Sequence, residues 1–391
     1  MSFNLSLLGE IAEFKGGKRL PKGKMLTSSN TGHPYIRITD ISNHKIDLGN
    51  ILYVSKEDQE KISRYIVKAD DLILTIVGTI GLVAIVPETL DKANLTENCI
   101  KINLRKDILD TKFAYYYLTS KEGQDQIHGL NVGSTQPKLP LYNIAKIEIP
   151  SPSLQEQAAI AEVLSSIDDK IDLLHRNNKT LEEMAETLFR QWFVEGAKEE
   201  WEMGTLGELV LVKRGGSPRP IQDFLSDSGL RWLKISDVTS VPSPYVFNIK
   251  EYIKEEGIKK TVLLKKGSLI VSNSATPGIP KILAVDSCIH DGWLYFPESQ
   301  LSNEFLYLFF LKIKTELVSL GNGSIFTNLK TDIVKNFPIL KPDAQTLEKF
   351  DDIISPVFKK MYSNTVQLLS LTETRDVLLP KLMSGQVRVK H

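Results

Sequence analysis

Ile147-Glu148-Ile149-Pro150-Ser151-Pro152-Ser153-Leu154-Gln155-Glu156-Gln157 is the stretch at which this chain changes character. The prolines stop a β-type run, and Ser153-x-x-Glu156 supplies a capping box for the first free amides of a helix. From there the ladder steps by four and three through Ile160, Leu164, Ile167, Ile171, Leu174, Asn178, Leu181, Ala185, Leu188 and Trp192. Only Asn178 is polar. A 3.5-residue spacing kept for more than four heptads is a coiled-coil seam. At about 1.5 Å per residue the helix spans roughly 50 Å. The ladder returns at an offset of 190 as Phe350, Ile354, Val357, Met361, Asn364, Leu368, Leu371, Arg375 and Leu378. Pro356 interrupts it early and predicts a kink or a late helix start.

Outward from the helices, the whole chain repeats. Leu8-Gly9-Glu10-Ile11 recurs as Leu206-Gly207-Glu208-Leu209, and Lys15-Gly16-Gly17-Lys18-Arg19 as Lys213-Arg214-Gly215-Gly216-Ser217. Tyr35 to Ile41 matches Trp232 to Val238, and Asp71 to Thr75 matches Ser268 to Ser272. Gly133-Ser134 and Leu139 match Gly323-Ser324 and Leu329. The offset falls from 198 through 197 to 190, as loop-length changes within one fold require. Short β-branched runs at Tyr35 to Ile41, Leu72 to Val77, Leu82 to Val86 and Ile100 to Leu104 read as strands. A helix is expected near Phe113 to Ser120, and again at Phe305 to Lys312. The fold class is α+β.

Composition narrows the chemistry. The 391 residues are 42% hydrophobic and 25% charged, with 48 Lys+Arg against 48 Asp+Glu, so no global basic field exists. Cys99 and Cys288 lack any CxxC spacing, which excludes a disulfide framework and a thiolate zinc site. No apolar run nears the roughly 18 residues of a membrane span, and the opening is no signal peptide. These features predict a soluble, cytoplasmic protein without a membrane partner. Gly17 to Gly23-Lys24 is one residue too long for a phosphate-binding P-loop, with Met25 where the hydroxyl should stand. No Gly-x-Gly-x-x-Gly follows a strand, and the six histidines never pair at metal spacing. His290-Asp291 reads as a turn. The residues support recognition without catalysis, metal or bound cofactor.

Charge by region locates that recognition. Residues 1–154 carry 19 Lys/Arg against 17 Asp/Glu, and 201–343 carry 17 against 15. Residues 155–200 carry 5 against 11, so the first helix is acidic and suits protein rather than phosphate. Positive charge gathers in the double-glycine loops: Lys15, Lys18, Arg19, Lys22 and Lys24, then Lys213, Arg214 and Arg219. Glycine permits close backbone approach and the flanking cations neutralise phosphates; a solvated loop is the plainer reading. Base or backbone contact is expected from Thr79 and from Ser134, Thr135, Gln136 and Lys138, with Ser324, Thr327 and Asn328 as counterparts. Ordinary turn chemistry would use the same residue types.

Two mixed domains alternating with two long helices resemble the specificity subunit of type I restriction–modification systems. The resemblance covers essentially the whole chain. The quoted junction and the segment Leu378-Leu379-Pro380-Lys381-Leu382-Met383-Ser384-Gly385-Gln386-Val387-Arg388-Val389 carry it most specifically. The second junction, Phe337 to Asp343, departs by lacking the Glu-Gln pair. The resemblance implies target-recognition domains at 1–152 and 194–342, and spacer helices at 153–193 and 343–380. Residues 381–391 would close the structure. The helices would pair as an antiparallel coiled coil with pseudo-two-fold symmetry. Each domain would read one half of a bipartite double-stranded DNA site. Two methyltransferase subunits would bring S-adenosylmethionine, and two restriction subunits ATP and magnesium. The other reading is a repeat-built protein-interaction scaffold that never touches DNA.

Overall fold

The computed structural model describes residues 3–135, 137–321 and 329–389. Gln136, Ser324, Thr327 and Asn328 lie outside the described residues. Two units emerge from the packing: Met1–Ile171 with Ser370–His391, and Asp172–Leu369. Each long helix contributes one end to each unit, since the helices run Leu154–Arg190 and Ala344–Met383.

In unit 1 a four-stranded antiparallel sheet runs in the order Ala12–Gly16, Cys99–Leu104, Leu72–Thr75, Val83–Ile85. A three-stranded sheet orders Leu52–Tyr53, Pro34–Ile36 and Asn94–Leu95. Strand Leu72–Thr75 is buried along its whole length because both its faces meet a core. Leu72 and Leu74 face the cluster of Phe113 and Ile100, while Ile73 points the other way toward Ile36 and Val86. Each such fully buried side chain contributes about 1.5–3 kcal/mol relative to exposure.

Unit 2 uses the same device. Its sheet orders Val210–Arg214, Trp293–Ser299, Leu269–Ser272, Pro280–Leu283 and Tyr245–Val246, with Leu269 and Val271 on one core and Ile270 on another. A second five-stranded sheet runs Leu225–Ser226, Glu251–Ile253, Leu230–Leu233, Ser287–Ile289, Val262–Leu264. The helices near Phe113 and Phe305 span Thr111–Thr119 and Asn303–Gly321.

The strands read at Tyr35 to Ile41 and Trp232 to Val238 are shorter than expected. In each a 3-10 turn, Ile38–Asp40 or Ile235–Asp237, breaks the run. The Asp40 carboxylate accepts the Arg37 backbone N–H at 2.8 Å, and Asp237 accepts that of Lys234 at 3.0 Å. A local side-chain acceptor here outcompetes the sheet for the backbone.

The helix pairs are antiparallel within each unit. Unit 2 sets Asn178 against Asn364 and, further along, Phe189 against Phe350. Unit 1 sets Asp168 against Arg375, and Ile160 and Leu164 share a core with Leu378, Leu382 and Met383. Ile160, Leu164, Ile171, Leu174, Phe350, Ile354, Val357, Met361 and Leu368 are buried. Ile167, Leu181, Leu188, Leu371 and Leu378 are half-buried.

Three details correct the sequence reading. Toward the end of the first helix Phe189 and Phe193 take the buried places expected of Leu188 and Trp192. A straight helix drifts against a 3.5-residue repeat, and a π-type turn at Gln191–Glu195 shifts it further toward Phe305. The second helix begins at Ala344, well before Pro356, so the proline lies inside it. The capping box is half made: Ser153 Oγ accepts from Glu156 N–H at 3.3 Å, but the Glu156 carboxylate binds Arg388 at 2.5 Å. Its neighbour Gln157 is fully buried, accepting from Asp110 N–H and donating to the Ile108 and Pro152 carbonyls. That amide locks the helix start to the unit 1 core.

Candidate nucleic-acid interface

In unit 1 the chain leaves the sheet at Gly17, whose N–H donates to the Cys99 carbonyl at 3.0 Å. Lys18 N–H follows, to the Leu95 carbonyl at 2.7 Å. A Cβ on Gly17 would stand 2.0 Å from the Thr96 carbonyl oxygen. Gly215 repeats this in unit 2: its N–H meets the Trp293 carbonyl at 2.9 Å, and a Cβ would stand 2.2 Å from the His290 carbonyl oxygen. The space that these glycines leave is therefore filled by the chain's own backbone. Glycine is needed here for the crossing, and any phosphate contact falls to the exposed side chains around it.

Those side chains divide into two groups. Arg19 bonds the Glu97 carboxylate at 2.5 Å, and Lys24 faces Asp58 at 3.5 Å. Lys15 stands 3.9 Å from Glu13. In unit 2 Arg214 and Arg219 both face Asp291, each at 3.7 Å. Lys18, Lys22 and Lys213 are exposed, with no carboxylate within ion-pair distance among the described residues. Lys18 lies 5.8 Å from the centre of the Tyr65 ring.

The second set of candidates is brought beside the first. The Ile76 N–H donates to the Asn98 carbonyl at 2.8 Å, tying the Gly78–Gly81 turn to the turn that carries Glu97. Inside that turn Thr75 Oγ1 donates to the Thr79 carbonyl at 2.6 Å and accepts from Leu82 N–H at 2.9 Å. Ser272 does the same with Thr276 and Ile279, at 2.6 and 2.9 Å. Lys138 pairs with both Val77 and Val132, so the loop of Ser134 and Thr135 stands against the Gly78 turn. Thr79, Ser134, Thr135 and Lys138 are all exposed on this braced backbone.

Unit 2 adds a cleft of about 500 Å³ lined by Ser217, Arg219, Trp232, Lys234, Ser274 and His290, among others. His290 Nδ1 accepts from Gly292 N–H at 2.8 Å, and burial lowers its pKa, so the ring is neutral near pH 7. The turn reading of His290-Asp291 fits this geometry. Burial pushes the thiols up, to about 12 for Cys99 and about 11 for Cys288, which leaves both unreactive. No cluster of three His, Cys, Asp or Glu suited to a metal occurs among the described residues. No described helix is long and apolar enough to cross a membrane.

Glu97, Asp291 and Ser217 also belong to this surface, and sequence reasoning did not single out these contacts. The usable signal was faint. Thr96-Glu97-Asn98-Cys99 and His290-Asp291-Gly292-Trp293 align at an offset of 194, each with an acid two residues before the strand that pairs with the glycine strand.

Comparison with known proteins bears on what such a surface does. The sequence profile described as "Type I restriction modification DNA specificity domain" matches twice, over residues 3–183 and 198–372. The specificity subunit of the type I restriction enzyme MjaIX from Methanocaldococcus jannaschii is 26% identical, covering 100% of this chain and 94% of its own. The HindI specificity subunit of Haemophilus influenzae is 22% identical over 90% of this chain and 94% of its own. Among solved structures, the type I restriction–modification S subunit of M. genitalium superposes with a TM-score of 0.67 at 18% identity. It covers 98% of this chain and 96% of that one, and so shares the fold.

Proposed function

The chain belongs to the type I restriction–modification DNA specificity family, and from that premise we propose that each unit reads one half of a bipartite duplex site. The family recognises DNA and is non-catalytic, in keeping with the absence of catalytic motifs from the sequence. One observation supports the division into half-sites. Both units carry an exposed cationic loop at the same strand end, anchored by the same glycine crossing beside the same braced turn.

In this reading Lys18, Lys22 and Lys213 meet phosphates, while Thr79, Ser134, Thr135 and Lys138 meet bases or backbone. The long helices set the distance between half-sites and dock two methyltransferase subunits. The acidic balance of residues 155–200, 5 basic against 11 acidic, favours protein there. S-adenosylmethionine would belong to those partners, and ATP with magnesium to two restriction subunits. The site of action is the cytoplasm.

The test is an exchange of residues 1–152 for the matching part of a relative, followed by mapping of methylated adenines in a host that carries the partner subunits. The expected result is a change in one half of the recognised sequence, with the other half and the spacer kept. A hybrid that alters both halves overturns independent reading. A full chain that binds no duplex at low salt, with or without partners, leaves the scaffold reading in its place.

A further inference from the structure

The cations of the glycine loops are not simply displayed. In each unit the turn before the paired strand sends a carboxylate back to the loop's arginines: Glu97 to Arg19, and Asp291 to Arg214 and Arg219. The two acids share one place in the repeat, two residues before Cys99 and Trp293, although their arginine partners sit at different loop positions.

Neither acid is a loose surface group. Glu97 also accepts from the Thr96 hydroxyl at 3.1 Å, and Asp291 from the Ser217 hydroxyl at 2.7 Å. Partial burial opposes their ionisation, yet these hydroxyls and the arginines hold both carboxyls below their usual values. Both are therefore charged at neutral pH. Two of the arginines, by contrast, are largely exposed, the side chains of Arg19 and Arg219 being 79% and 83% accessible, while Arg214, 50% accessible, also donates its Nε to the Asp291 backbone carbonyl.

We propose that Glu97 and Asp291 are fixed competitors of DNA phosphate that hold down the sequence-independent affinity of the two units for duplex. This inference rests on the DNA-reading function proposed above. An arginine that turns to a phosphate abandons a carboxylate that cannot follow. The gain of one ion pair is offset by the loss of another, and the stranded negative charge faces the DNA. Arg19, Arg214 and Arg219 thus add little to binding at an arbitrary sequence. Lys18, Lys22 and Lys213 supply the general attraction, and discrimination is left to contacts with the bases. Such restraint suits a protein that must leave non-target DNA quickly.

The experiment uses the full chain with Glu97→Gln, Asp291→Asn and the double substitution. Binding to a mixed-sequence duplex is followed by fluorescence anisotropy from about 50 to 300 mM salt. The amides keep the shape and the hydroxyl contacts, and thermal unfolding checks that folding is unchanged. Glu97→Asp, which keeps the charge, serves as control and is expected to bind like the wild type. The double variant is expected to bind about ten-fold tighter at about 100 mM salt. Its log–log salt slope should steepen by about 1–2, at roughly 0.9 per added phosphate contact. Unchanged or weaker binding by folded variants overturns the competitor role, and weaker binding would make the acids positioning groups for the arginines. A wild type and variants that all ignore duplex overturn this inference and the DNA reading together.

Discussion

The two units make the same joint from differently connected chain. In unit 2 the linker after the first long helix supplies Lys198, which bonds Asp343 at 2.7 Å and stands 5.7 Å from the Trp201 ring. In unit 1 the corresponding cation is Arg388, at an offset of 190, and the corresponding ring is Phe3, at an offset of 198. Arg388 lies 4.3 Å over Phe3 and bonds Glu156 at 2.5 Å. One joint is built from continuous chain and the other from two segments remote in sequence. Packing decides the geometry, and connectivity decides only the entropy of holding it.

The helix pairs differ in the same spirit. Ile160, Leu379 and Met383 in unit 1 stand where Phe350, Phe189 and Phe193 stand in unit 2, all at an offset of 190. Phe193 is 4.8 Å from both Phe305 and Phe350, so unit 2 is joined by interlocking edge-to-face rings, whereas at the matching helix positions unit 1 has the aliphatic Ile160, Leu379 and Met383 in a cluster that also holds Phe113. The largest effect should come from breaking those rings. Phe350→Ala is expected to cost about 3–5 kcal/mol, and Ile160→Ala less, toward 2 kcal/mol, because its aliphatic neighbours can close on the gap. Denaturant unfolding with hydrogen exchange resolved by unit would check this. Equal losses would show that the aromatic joint adds nothing special.

The helices and the repeat were legible because they rest on periodicity and order, which survive when local chemistry varies. Strand lengths were less so, since Asp40 and Asp237 end those runs through side-chain hydrogen bonds to the backbone that propensity does not register. The inward shift to Phe189 and Phe193 came from a third partner, the helix of Phe305, which no heptad pattern contains. At the candidate interface the basic loops stood out by their charge and by their recurrence at the same place in both halves. Their tempering by Glu97 and Asp291 did not, because those acids lie 78 and 72–77 residues away along the chain. The purpose of the glycines was also hidden: a carbonyl from a paired strand end and a bound phosphate both call for the missing side chain.

A smaller effect separates the two helix starts by pH. Asp343 caps the second helix, accepting from Thr346 N–H at 2.8 Å, and also binds Lys198, the Thr346 hydroxyl and the Trp201 indole. Lys198 first, then those hydrogen bonds, hold its carboxyl well below the usual range. A depressed folded-state pKa means the contribution is complete above the unfolded value, near 4, and is lost as pH falls through the folded one. In unit 1 the cap itself is uncharged, Ser153 Oγ accepting from Glu156 N–H, and the cation there, Arg388, bonds Glu156 rather than the capping residue. Acid should therefore loosen the start of the second helix before that of the first. Asp343→Asn should flatten the dependence of Tm on pH below about 4. An unchanged acid slope in that variant would place the sensitivity elsewhere.

The smallest effect tests the two joints directly. Arg388 and Lys198 are both about half exposed, so each ion pair is worth at most about 1 kcal/mol and each cation–ring contact about 0.5–1 kcal/mol. Direct contacts alone would make the two alanine variants nearly equal. Connectivity breaks the tie. Lys198 and its ring Trp201 share one short stretch of chain between the first long helix and the strand Met203–Thr205, so its loss frees little. Arg388 instead joins the last described turns of the chain to the segment that carries Phe3, next to the strand Leu5–Leu7 paired with Glu148–Pro150. Arg388→Ala should therefore cost about 1 kcal/mol and raise amide exchange along Leu5–Leu7, while Lys198→Ala costs about half as much and leaves its neighbouring strand protected. Salt near 1 M, where the Debye length is about 3 Å, should shrink the ionic part of both losses but not the added exchange. A Lys198 variant that frays its strand as much as the Arg388 variant would show that covalent continuity contributes nothing to this joint.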